Sequence, residues 1–117
     1  MTMADAPPID NAMFIELQES AGADFVAELV DTFLEEAPRM LAELRATATT
    51  GRPDAFRRAA HSLKSNSNTF GALTLCAMAR ELELSGMDPA KANDAKLDAL
   101  AAEYSKVAAA LTELRNA

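Results

Sequence analysis

Apolar side chains recur along this chain every three or four positions, the repeat of one helix face, and never alternate long enough for a strand. Asp10 reads as the N-cap of a first short helix through Phe14, Leu17 and Gln18, which Gly22 interrupts. Asp24 is placed to cap a long second helix carrying Phe25, Leu29, Phe33, Leu34, Met40, Leu41 and Leu44. Pro38 falls inside that run and predicts a kink, and the stretch Thr47 to Gly51 ends it. Pro53 suits the first position of a third helix, with Phe56, Ala59, Ala60 and Leu63 on its inner face and Gly71 at its stop. A fourth helix runs from about Ala72 through Leu75, Met78, Ala79 and Leu82 to Ser85-Gly86. Pro89 then opens a last helix through Leu97, Leu100, Tyr104, Val107, Leu111 and Leu114. Short connections favour antiparallel neighbours. The expected fold is all-α: an antiparallel four-helix bundle with a short additional N-terminal helix, spanning residues 10–117 behind a flexible segment 1–9.

Composition narrows this picture. The 117 residues suit one domain with one core, and a single cysteine excludes a disulfide scaffold. Cys76 reads as a small core residue, and a lone thiol fits a reducing compartment. Residues 1–8 lack the basic head and apolar run of a signal peptide. The longest nearly apolar stretch, Phe70 to Ala79, is too short to cross a bilayer, so no membrane partner and a cytoplasmic location are expected.

Charge is unevenly spread. Residues 1–51 hold ten acids and two bases, whereas residues 52–117 hold eight acids and nine bases. The net charge of −7 argues against general nucleic-acid binding, which needs many Lys and Arg facing phosphates. One segment breaks the trend: between Arg52 and Lys64 stand four bases and one acid, Asp54. A local positive patch on an acidic protein points to a localised anionic partner or ligand.

The patch contains the one histidine of the chain, His61. At about 100° per residue, His61 lies opposite Phe56, Ala59, Leu63 and Phe70, and hence on the solvent side. Asp54, Arg57, Ser65 and Asn68 share its face, with Arg58 and Lys64 slightly further round, and Ser62 and Ser65 leave it sterically open. A metal site is a poor reading, because one His and one Cys fifteen residues apart lack ligand spacing. Nucleophilic triads fit badly too, since no Gly-flanked nucleophile or orienting carboxylate stands out. A general base needs a concave pocket, and a helix face offers little concavity. There remain an incidental surface histidine or an exposed nucleophile with cations at i−4 and i+3, Arg57 and Lys64, able to hold an anionic group upon it. The second is the geometry of a phosphoryl carrier.

The run Ala59-Ala60-His61-Ser62-Leu63-Lys64-Ser65-Asn66-Ser67-Asn68-Thr69-Phe70-Gly71-Ala72 closely resembles the signature of histidine phosphotransfer (HPt) domains. Phe33 to Pro38 looks like the family's kinked second helix, and Leu82-Glu83 like the end of the helix after the motif. Many members carry Gly directly after the Lys, where this chain has Ser65, still a small residue. The resemblance implies that His61 accepts and donates a phosphoryl group through Nε2, with Lys64 as the phosphate's counter-ion. It implies a relay between a sensor histidine kinase or a receiver-domain aspartate and another receiver-domain aspartate, without kinase or phosphatase activity of its own. Arg57, Arg58, Ser62, Ser65 and Asn68 become candidate partner contacts, and Gly71 a structural C-cap. No cofactor or metal is expected in this chain, Mg²⁺ being supplied by the receiver. With four long helices sharing one core, a monomer is expected. The competing reading is a non-catalytic helical interaction module in which His61 is incidental.

Overall fold

The computed structural model describes residues 7–86 and 93–117, and within them every element is helical. The first helix starts where the sequence places it: the Asp10 carboxylate accepts from the Met13 backbone N–H at 3.1 Å, and α1 spans Asn11–Ala21. A single residue separates it from α2, Ala23–Thr50. That residue is Gly22, whose φ of 93° lets the chain turn. Asp24 is therefore not the cap expected of it. It lies within the first turn of α2, where its charge still suits the helix N-terminus. After Gly51 and Arg52 come α3, Pro53–Thr69, with Pro53 opening it as expected, and α4, Leu73–Ser85. The described part of α5 is Asn93–Asn116; Pro89, expected to open that helix, lies outside the described residues.

Helices α2, α3, α4 and α5 each pack on two others in the order α2–α3–α4–α5–α2, and α1 lies on α2. The core between them holds Val26, Val30 and Phe33 of α2, Phe56, Ala60 and Leu63 of α3, Leu75 and Leu82 of α4, and Leu100, Val107 and Leu111 of α5. Phe25, expected on the inner face of α2, is half exposed, because the buried stripe passes beside it through Val26, Val30, Phe33 and Ala37. Cys76 is only partly buried rather than a core residue. No described helix is long and apolar enough to cross a membrane.

Helix α2 runs past Pro38 unbroken. A proline ring removes the N–H that would bond the carbonyl four residues earlier. That carbonyl belongs to Leu34, and the Tyr104 hydroxyl of α5 donates to it at 3.5 Å. Tyr104 also meets Phe33 edge-on, with ring centroids 6.0 Å apart, and Phe33 lies 5.4 Å from Phe70. One aromatic cluster thus joins α2, α5 and the α3–α4 turn.

The turn between α3 and α4 is the most constrained point of the chain. Gly71 adopts φ 78°, and its carbonyl accepts from the Asp10 N–H at 2.8 Å. A Cβ at Gly71 would stand 3.0 Å from the Met13 Cβ and 3.1 Å from the Asp10 carbonyl oxygen. Gly71 is required twice, for its backbone conformation and for the close approach of α1. Ile9, which the sequence places in a flexible segment, is only 2% exposed, because this contact draws the chain into the core one residue before Asp10.

Two substitutions test these packing claims by thermal melting. Gly71→Ala should destabilise markedly, since left-handed backbone alone costs an alanine about 1–2 kcal/mol and the displaced Asp10 and Met13 add to it. Ser67 is fully buried in α3, and its hydroxyl has no hydrogen-bond partner among the described residues. It allows close helix approach but bonds no neighbouring carbonyl. Ser67→Ala should raise the melting temperature, because an unsatisfied buried hydroxyl costs about 1–3 kcal/mol. A lower melting temperature would mean that the hydroxyl has a partner.

Candidate functional site

Helix α3 buries Phe56, Ala59, Ala60 and Leu63, which leaves the opposite side to solvent. His61 stands there in the middle of the helix with 58% of its side chain exposed. Across the groove stands Glu83, near the end of α4, with 16% of its side chain exposed. One carboxylate oxygen, Oε2, meets His61 Nδ1, and the other, Oε1, accepts from Lys64 Nζ at 2.6 Å. A single carboxylate thus bridges the two residues that the sequence places at the centre of the site.

The electrostatics of this triad follow from its contacts. The hydrogen bond from Lys64 holds the Glu83 carboxyl below the usual carboxylate range; partial desolvation opposes this, and the His61 contact adds to it. Glu83 is therefore ionised at neutral pH, and its pairing is lost only as pH falls through that lowered value. An ionised carboxylate can only accept, so the proton sits on His61 Nδ1. In the neutral ring Nε2 then holds the lone pair, and it is the nucleophilic atom of a side chain more than half exposed.

The remaining sequence-predicted residues are divided around this centre. An open hollow of about 490 Å³ beside the ring is lined by Asp54, Arg57, Arg58, His61, Ser62 and Glu83. The helix face is thus more concave than its sequence implies. Arg57 is partly occupied by Asp54 at 3.7 Å, an exposed and weak pair. Arg58 makes no ion pair among the described residues, and with Ser62 it also borders a second hollow, of about 370 Å³, reaching Arg39 and Met40 of α2. Ser65 and Asn68 are exposed on the other side of His61, away from both hollows. Gly71 lies at the turn and not at the site. Among the described residues no three His, Cys, Asp or Glu side chains come together as metal ligands would.

Spacing along one helix could not find Glu83, the orienting carboxylate that sequence reading misses. A register argument could have: His61 and Glu83 are equidistant from Ala72, so folding α3 and α4 back about that turn sets them opposite each other. Arg39 carried no sequence signal, being one of only two bases in the acidic half of the chain.

Comparison with known proteins gives two findings. The model of the Hpt domain family matches residues 28–117, which takes in α3, α4 and the whole triad. Among solved structures, histidine-containing phosphotransfer protein B (HptB) from Pseudomonas aeruginosa PAO1 superposes with a TM-score of 0.84 at 28% identity, over 96% of this chain and 97% of that one. No curated protein matches the sequence.

The tautomer is directly measurable. Nitrogen-15 NMR of the ring at neutral pH should show a protonated Nδ1 and an unprotonated Nε2. Glu83→Ala should shift the ring towards the Nε2–H form. A parent protein already carrying the proton on Nε2 would contradict the geometry.

Proposed function

The chain belongs to the Hpt domain family, and from that premise we propose that His61 is the residue through which it carries out histidine phosphotransfer in phosphorelay signalling. The observation that carries this reading is an imidazole held through Nδ1 by a carboxylate, on a side chain more than half exposed to solvent. That arrangement gives a nucleophile of fixed orientation that a large partner can reach. Phosphoryl transfer asks little covalent chemistry of a protein beyond positioning and charge stabilisation. Nε2 takes the phosphoryl group from a receiver-domain aspartyl phosphate or from a histidine kinase and yields it to another receiver's aspartate. Lys64, one turn on and hydrogen-bonded to the same carboxylate, is the cation that serves the phosphoryl oxygens. The chain needs no metal or cofactor for this; Mg²⁺ belongs to the receiver. It has no kinase or phosphatase activity of its own.

Partners dock on the face around His61. Arg57 and Arg58 meet the acidic surface of a receiver, Ser62 and Ser65 keep the approach open, and Asn68 lies at the far margin. Gly71 serves the fold. The domain takes in Ile9 and runs on to residue 117, with α2 to α5 as an antiparallel four-helix bundle, α1 as the additional N-terminal helix, and the whole acting as a monomer in the cytoplasm. The likeness to a histidine-containing phosphotransfer protein supports this reading along nearly the full chain.

Incubation with phosphorylated receivers should label the protein at one site that is labile in acid and stable in base, as a phosphoramidate is. His61→Gln should abolish the label and leave the melting temperature nearly unchanged, since an exposed substitution costs within about 0.5 kcal/mol. Label that survives the substitution, or resists acid, would leave His61 incidental and the protein an interaction module.

A further inference from the structure

Lys64 is not idle before phosphorylation: its ammonium is hydrogen-bonded to Glu83 at 2.6 Å, and three quarters of its side chain is covered. The same carboxylate faces His61 Nδ1. The structure points to a role for Glu83 that deepens the carrier reading and rests on it. We propose that Glu83 keeps phosphorylated His61 ready for onward transfer, by retaining the proton on Nδ1 and by competing with the phosphoryl group for Lys64.

The chemistry balances as follows. The Nε2 lone pair attacks phosphorus, the N–P bond forms, and the P–O bond to the donor aspartate breaks, its electron pair leaving on the donor carboxylate. The ring keeps its Nδ1 proton and so becomes cationic. A carboxylate against Nδ1 stabilises that cation, as an orienting acid does for an imidazolium. In the onward step the acceptor carboxylate attacks phosphorus, the N–P bond breaks, and its electrons return to Nε2 of a neutral imidazole. A ring that has lost its Nδ1 proton would have to leave as an anion, which is far harder. Retention of the proton therefore keeps the N–P bond weak. Lys64 acts in the opposite sense, because a cation on the phosphoryl oxygens steadies the phosphorylated state. Shared with Glu83, it does so only in part. The other charged groups around the ring are Asp54, Arg57 and Arg58, all on α3, and Glu83 is the acid facing it from α4.

Glu83 is on this account a positioning residue, and its effect is read from the lifetime of the phosphorylated protein without any partner. Potassium phosphoramidate, a chemical phosphodonor for histidine, would be used to label the parent, Glu83→Gln, and the double variant Lys64→Ala with Glu83→Gln. Glutamine still accepts from Nδ1–H but neither stabilises a cationic ring nor holds Lys64. Glu83→Gln should lengthen the phosphohistidine lifetime at neutral pH roughly three- to tenfold, the size expected when a charge-assisted contact is weakened at a partly exposed site. The gain should shrink in mild acid, where solvent protonates the ring in both proteins, and the double variant should give back the share that acts through Lys64. An unchanged or shortened lifetime in Glu83→Gln overturns the proposal, as does a gain undiminished in acid. Failure of the parent protein to take the label at His61 overturns the carrier reading instead.

Discussion

The backbone at Gly71 must turn through a left-handed conformation while Asp10 and Met13 press on the position where any other residue would carry a Cβ. This constraint sets the register of α3 against α4, and the rest of the site follows from it. With the turn fixed there, residues equidistant from Ala72 meet across the groove, and His61 finds Glu83. The N-cap of α1 locks the same turn from outside through the Asp10–Gly71 hydrogen bond. A structural glycine ten residues from the imidazole thus decides which carboxylate faces it.

The triad that results is asymmetric in exposure. Glu83 and Lys64 are largely covered, while the ring between them and solvent is open. Their hydrogen bond is therefore less screened than the surface pairs elsewhere, such as Arg57 with Asp54 or Arg45 with Asp98. The hydrogen bond from Lys64 keeps the carboxylate ionised despite that covering. Charge is stored beneath the reactive atom, and Nε2 is left without steric protection.

What could be read from the sequence depended on distance along the chain. The Asp10 cap, Pro53 at a helix start, the inner face of α3 and the exposure of His61 all follow from local spacing, and the structure agrees with each. Asp24 misled because a capping residue and a first-turn acid look alike when the preceding Gly22 can also turn the chain. Phe25 misled because the α2 stripe is narrower than its run of apolar residues. Glu83 was read only as part of a helix end, because the contact that makes it a site residue is formed across two helices. The Leu34 carbonyl, bonded by Tyr104 where Pro38 cannot donate, is legible only once α2 and α5 are side by side.

The His61–Glu83 pair joins residues 22 apart, whereas the Asp10–Gly71 bond joins residues about three times further apart. Closing a short loop costs less chain entropy than closing a long one. The chemistry of this protein is thus gathered within one helical hairpin, held by contacts that are cheap in chain entropy. The N-terminal lock, which spans α1 to α3, is the more costly closure.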